Sequence, residues 1–227
     1  MLLFSISSAV VLWGQSSQNC AADITAETGS IKIEIIAGEN FENRGWFFIF
    51  PFKKGPQMAA WVEDKNGRYM GTIFASQKTA DQKWIQAPEN GRPESLPVWT
   101  ARSGGVLDPV DAVAAASSDI SENTGIESRL KLAPGKYRVY LEVNSSYDWN
   151  SVWKKKLPES SQYYNGVNGQ PSLVYRAEIE TGRGAGSVKM EKLGTGDVQG
   201  RNGSITESFD GIDSSLTILE SVSVFSR

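Results

Sequence analysis

Five oxygen-bearing side chains stand two residues apart at one place in this chain of 227 residues: Glu142, Asn144, Ser146, Asp148 and Asn150. In extended backbone a spacing of two keeps side chains on one face. Glu142 and Asn144 therefore share a face of the strand that ends here, and the other three run on into the turn that leaves it. Hard cations such as calcium take about six to eight oxygens from carboxylates, amides and carbonyls. The comb offers that chemistry, with two carboxylates, if a second loop adds to it. The same residue types also have a purely local use, because Asn, Ser and Asp cap backbone groups where strands end and turns begin. The comb is thus a candidate ligand or cation site and, on the same residues, a candidate turn-stabilising junction.

A second group of side chains lies just downstream. Trp149 and Trp153 flank the end of the comb and precede Lys154, Lys155 and Lys156, and Tyr163 and Tyr164 open the loop YYNGVNGQPS. Its two Asn-Gly pairs accept left-handed backbone and so can hold a tight turn while displaying the aromatics. Aromatic rings on a polar loop suit a sugar, a peptide or a protein partner; packed inward, the same rings close the end of the fold. The remaining short patterns carry less. The run GRGAG from Gly182 to Gly186 lacks the lysine and the following helix of a phosphate loop and reads as a turn. Neither Glu63 with Asp64 nor Glu27 with Glu34 forms a recognisable acid pair.

Composition narrows the chemistry further. The chain has no histidine, which removes the commonest general base, the usual neutral transition-metal ligand and every Ser-His or Cys-His pair. A net charge of -3 gives no positive field for counterion release, so nucleic acid is not an expected partner. No catalytic residue is assigned, and a non-enzymatic role is the expectation. Residues 1–19 carry no charge, and Leu2 to Trp13 form an apolar run of signal-peptide length, too short to span a bilayer. It leads to Cys20, the single cysteine, followed by Ala21, Ala22 and Asp23. A lone cysteine there resembles a bacterial lipoprotein cleavage site, although Ser17, Gln18 and Asn19 relax the usual Leu-Ala-Gly approach and no Lys or Arg precedes the run; a plain secreted protein is the other reading. The expected organisation is a signal peptide over 1–19, a lipid-anchor tether over 20–30 with lipid on Cys20, and one domain over 31–227, exported to the periplasm or cell surface and held to a membrane by its acyl chains.

The elements that must position the comb are mostly strands. IKIEIIA (Ile31 to Ala37) alternates like a half-buried first strand, and WFFIFPF (Trp46 to Phe52) reads as a central strand. The Asn66-Gly67 pair between QMAAWVED and YMGTIFAS is a strong hairpin signal. Pairing across it puts Met58, Ala60, Val62, Gly71 and Ile73 on one face and Ala59, Trp61, Met70, Thr72 and Phe74 on the other. Gln77 to Leu107 is a polar connection in which Pro97-Val98-Trp99 tucks against the core. Asp108 to Ser118 has the signature of a short helix: Asp108 as N-cap, Pro109 in the first turn, Asp111 at the third position and alanines behind. Lys136 to Asn144 alternates cleanly, with Tyr137, Val139, Leu141 and Val143 on one face and Tyr140, Glu142 and Asn144 among those on the other. Three further strand-like runs follow between glycine-rich turns. The fold expected is all-β, an antiparallel β-sandwich of immunoglobulin-like architecture with one short helix.

The motifs WVEDKNGRYMGTIFAS, LPVWTARSG, VDAVAAASS, GKYRVYLEVNSSYDWN and NGVNGQPSLVYRAEI, in that order, resemble the predicted periplasmic family called domain of unknown function 2271 over about Ile31 to Ile179. The resemblance implies an exported β-rich protein with neighbours in membrane-associated flavin and redox systems. Covalent attachment of flavin (FMN) in such systems uses a pattern like Asp-x-x-Ser/Thr-Gly-Ala-Ser/Thr. Asp111, Ala116 and Ser117 match it, and Ala114 and Ala115 depart from it. The alternative to a binding lipoprotein is therefore an accessory of envelope redox proteins that carries flavin on Ser117.

Overall fold

The computed structural model describes residues 29–47, 50–81, 91–105, 113–115, 123–128 and 130–226. The strands are β1 (Ile31–Ala37), β2 (Asn43–Phe47), β3 (Phe50–Lys54), β4 (Gln57–Asp64), β5 (Tyr69–Ser76), β6 (Val113–Ala115), β7 (Asn123–Glu127), β8 (Gly135–Asn144), β9 (Leu173–Thr181), β10 (Gly186–Lys189), β11 (Glu191–Gly196), β12 (Ile205–Thr206) and β13 (Leu219–Ser226). The helices are α1 (Gln77–Asp81) and α2 (Pro97–Ser103), with 3-10 turns at Pro93–Ser95 and Ser214–Thr217. The chain segments proposed as signal peptide and tether, Cys20 included, lie almost wholly outside the described residues, as do Asp111 and Ser117. Among the described residues no helix is long and apolar enough to cross a membrane.

Two sheets face each other. A four-stranded sheet has the order β10-β13-β1-β7, and a seven-stranded sheet has the order β12-β11-β9-β8-β4-β5-β6. The alternating strands explain why they stack. Ile31, Ile33 and Ile35 of β1 and Val222 and Val224 of β13 turn one face inward and meet Met58, Ala60 and Val62 of β4, Val139, Leu141 and Val143 of β8, and Leu173, Ala177 and Ile179 of β9. Apolar burial of this kind contributes roughly 25 cal/mol per Å². The architecture is an all-β sandwich with few helical residues. Its seven-stranded sheet is larger than either sheet of a constant immunoglobulin domain.

The seven-stranded sheet buries its second face as well. Ala59 and Trp61 of β4, Ala75 of β5, Tyr140 of β8 and Val174 of β9 pack with Leu96, Val98 and Trp99 at the start of α2. Trp61 and Tyr140 stack at 5.1 Å between ring centroids. The tuck expected of Pro97-Val98-Trp99 is therefore a helix laid on the sheet, with Pro97 in its first turn and Gly104 in left-handed backbone at its end, where proline and glycine are favoured.

Three local expectations are corrected. The helix expected over Asp108 to Ser118 is absent at its centre: Val113, Ala114 and Ala115 form β6, paired parallel with Phe74, Ala75 and Ser76. Ladder hydrogen bonds along the sheet margin outweigh a capping signal of about 1 kcal/mol. The aromatic run at 46–52 is divided between β2 and β3, a hairpin of its own with Trp46 opposite Pro51, consistent with the confinement of proline to marginal strands. The Asn66-Gly67 hairpin forms as expected, but Ala60 pairs with Phe74 and Trp61 with Thr72, so the register slips by a bulge between them. The bulge moves Phe74 from the face expected for it to the inter-sheet core.

Tyr175 lies in the inter-sheet core and its hydroxyl has no hydrogen-bond partner. Burial raises the pKa of that hydroxyl above its ordinary value. An orphaned buried hydroxyl costs about 1–3 kcal/mol, so Tyr175→Phe is expected to raise stability by about 1 kcal/mol, measured by urea unfolding; a loss of that size would mean that the hydroxyl has a partner in solution.

Candidate functional site

β8 delivers Glu142 and Asn144 to the face covered by α2, and the chain then leaves the sheet through Ser145 to Asn150. Glu142 is fully buried. Its carboxylate accepts the backbone N–H of Trp99 at 2.8 Å and that of Val98 at 3.3 Å, two of the amide groups that the first turn of a helix leaves unpaired. It also accepts the hydroxyl of Ser172 at 2.6 Å. Burial pushes the Glu142 carboxyl up to about 7, against the downward pull of these three donors. A Cβ on Gly196 would meet Ser172 Oγ at 2.5 Å and Glu142 Oε1 at 2.9 Å, so this strand passes the site closely enough to demand glycine. α2 is fixed at its other end too, by Arg102 Nε 3.3 Å from the buried carboxylate of Glu63.

The remaining members of the comb go to other partners. Asn144 donates weakly to the carbonyl of Gln170 at 3.5 Å, and its own Oδ1 is buried without a partner. Ser146 accepts from Gln57 Nε2 at 3.1 Å and from Arg92 at 3.3 Å. Arg92 is itself buried and also engages Asn168 Oδ1 and, at 3.0 Å, Glu94. Asp148 accepts the hydroxyls of Ser214 and, at 2.7 Å, Ser215, which anchors the turn that precedes β13. Asn150 accepts the N–H groups of Val152 at 2.9 Å and Trp153 at 2.8 Å and donates to the carbonyl of Gly211 at 2.8 Å. Four of the five members thus hold the chain together. The capping chemistry weighed in the sequence accounts for their contacts, and the oxygens of Glu142, Asp148 and Asn150 already accept protein donors. Among the described residues no group of three or more Cys, Asp or Glu side chains is arranged to hold a metal ion.

Opposite the comb runs the YNGVNG loop. Tyr147 N–H donates to Val167 at 2.8 Å, Asp148 N–H to Asn168 at 3.0 Å, and Gln170 N–H to Asp148 at 3.0 Å. Gly169 has φ +83°, and a Cβ there would stand 2.3 Å from the carbonyl oxygen of Asp148. Asn165, Asn168 and Gln170 are all buried. The loop is a second layer of the junction, not a free arm. Arg92 and Ser214 are the residues that sequence reasoning passes over, and it reads Asn168 and Gln170 only as parts of a turn. They sit in segments without periodicity, and their contacts reach across dozens of positions in the chain.

The four aromatics of the loops divide. Trp153 is 7% exposed and meets Tyr163 edge-on at 5.1 Å. Tyr163 is 39% exposed, and Trp149 and Tyr164 are half-buried. Tyr164 lines a surface groove of about 350 Å³ with Glu94, Glu159, Asn165, Val198 and Gln199. The indole N–H of Trp153 is buried without a partner. One ring of the four therefore packs inward, the others keep accessible surface, and of these Tyr164 lines the groove.

No protein-family model, curated protein or solved structure matches this chain.

Proposed function

We propose that this chain is a non-enzymatic lipoprotein of the bacterial cell envelope, anchored through Cys20, whose loop end binds a ligand or docks a partner. The observation that carries the binding part is the groove beside Tyr164, with the exposed Tyr163 braced on Trp153. An aromatic wall combined with the amides of Asn165 and Gln199 and the carboxylates of Glu94 and Glu159 suits a neutral polar ligand, a saccharide above all, since rings take its apolar face and amides and carboxylates its hydroxyls. The rigid junction underneath supports this reading, because pre-organised walls lose little freedom on binding. The apolar start of the chain, its lone Cys20 and the motif order that resembles an exported family support the address.

The test is a titration of the mature domain with soluble cell-wall glycan fragments, followed by intrinsic tryptophan fluorescence. The expected result is a saturable change that Tyr164→Ala weakens about tenfold, the effect of removing one aromatic contact worth about 1.4 kcal/mol. A signal that stays flat with every fragment sinks the saccharide. The address is checked on the full chain, where Cys20→Ala is expected to move the protein from the membrane fraction to the soluble one.

A further inference from the structure

A short run of contacts defines the end of the sandwich at which the chain enters it. Ile31, where β1 begins, pairs with Ser226. Ser226 Oγ donates to the carbonyl of Glu180 at 3.3 Å, Glu180 stands opposite Lys136 at the start of β8, and Tyr137 stands opposite Asp64 at the end of β4. The comb lies at the other end of β8, about 30 Å away at the rise of an extended strand. A surface groove of about 370 Å³ opens at the entering end, with Lys65, Lys136, Tyr137, Arg138, Glu178 and Glu180 among its walls. The acids here are matched: Arg138 Nε lies 3.5 Å from Glu178, Arg183 Nε 2.9 Å from Glu180, and Arg68 Nε 3.3 Å from Asp64. Lys65 and Lys136 are exposed and, among the described residues, neither makes an ion pair. One groove thus holds two spare ammonium groups in a chain whose net charge is -3, a local field that favours an anion against the sign of the whole.

We propose that the entering end of the sandwich docks on a bilayer of anionic phospholipid, with Lys65 and Lys136 taking lipid phosphate at the groove. The inference rests on the anchorage at Cys20 proposed above, which supplies the reach: residues 20–30 extend at most about 40 Å and lead straight to this end. Within that reach the domain is free to turn, and an anionic surface holds the end that has cations to spare, each lysine near the headgroups strengthening the contact about fivefold. Arg138 can add to it, because an ion pair as exposed as the one with Glu178 holds the guanidinium only weakly. Tyr137 brings an amphipathic ring of the kind that gathers at membrane interfaces; its hydroxyl donates to the carbonyl of Ala133 at 2.9 Å. Docked in this way, the domain turns the comb and the groove beside Tyr164 away from the bilayer and toward the solution.

The test uses the full chain, purified from membranes and reconstituted into vesicles of phosphatidylcholine alone or of phosphatidylcholine with phosphatidylglycerol. Lysines are acylated briefly with a trace of acetic anhydride, and labelling at each is read by peptide mass spectrometry. Phosphatidylglycerol is expected to slow Lys65 and Lys136 about fivefold, while Lys154, Lys155 and Lys156, exposed in the loop at the other end, keep their rates. High salt is expected to abolish the difference, and Lys136→Gln to weaken the protection of Lys65. Equal rates in the two kinds of vesicle, or slowing of lysines 154–156 as well, overturns the docking. Slowing of the same size by glycerol phosphate in detergent also overturns it and gives the groove to a soluble phosphate. Failure of the anchorage looks different: the chain then stays in solution with either vesicle, and the docking falls with it. The decisive comparison is made on the unaltered protein and does not depend on any variant folding.

Discussion

Glu142→Gln will remove most of a stability loss that the native protein suffers as pH rises from about 5 to about 8. The carboxyl titrates at 4.5 in the unfolded chain and at about 7 when folded, because burial opposes its charge more than its donors favour it. Between those values the folded state keeps a proton that the unfolded state has released. Stability contributed by Glu142 is therefore complete below 4.5 and is lost as pH rises through 7, by about 3 kcal/mol in all. The glutamine cannot ionise. It keeps an oxygen for the Trp99 amide in the place of Oε2, and the Ser172 hydroxyl can turn to accept from the new NH2 in the place of Oε1, at the loss of the longer bond from Val98. Urea unfolding of both proteins across this range is expected to show the native protein losing ground to the variant steadily. Parallel curves would mean that Glu142 is already ionised throughout, with its three donors outweighing burial. Glu142→Ala is expected to cost about 2–4 kcal/mol near pH 5, since it strands two amides and a hydroxyl in a dry site, and to cost less as pH rises, because the alanine cannot ionise.

Gly169→Ala is expected to be the most damaging small substitution in the junction, at about 3 kcal/mol or more. The left-handed backbone of Gly169 strains an alanine by about 1 kcal/mol, and the added Cβ would lie 2.3 Å from the Asp148 carbonyl oxygen and 2.9 Å from the Trp149 nitrogen. Backbone on both sides has to move, and the hydrogen bonds of Tyr147, Asp148 and Gln170 move with it. Thermal unfolding checks the size. Gly166→Ala serves as the control, because a Cβ there meets nothing within 4 Å, and a loss at Gly169 no larger than at Gly166 would show the loop to be slack.

How much of this was legible depended on the range of the interaction. Alternation from Lys136 to Asn144 announced β8 and assigned its two faces correctly, and Asn66-Gly67 announced the β4–β5 turn, because both signals are local. Phe74 lies on the face opposite to the one its alternation predicts, because a bulge is a decision about register between two strands and neither strand declares it alone. The alanines after Asp108 look helical to any local rule and are drawn into pairing with β5. Glu142 is the sharpest case. On an alternating strand whose other face is apolar, a glutamate reads as solvent-facing or as a ligand. Its use as an anchor for a helix depends on Val98 and Trp99, more than forty positions away. The spacing of the comb is legible in the sequence, and what the spacing does not convey is that Gln57, Arg92, Ser214 and Ser215 arrive to occupy it.

The four-stranded sheet carries a consequence for how the chain comes to be folded. β1 lies between β13 and β7, with Ile31 paired to Ser226 on one side and Ile33 to Ile126 on the other. The first strand of the sandwich thus waits for the last. Pairings of such separation make closure late and slow, and until β13 arrives Ile31, Ile33 and Ile35 have half their sheet missing. For a polypeptide proposed to pass a membrane before it folds, this ordering acts as a timer: the thread stays loose until its tail is through, and a chain cut short before Leu219 is left with an open seam.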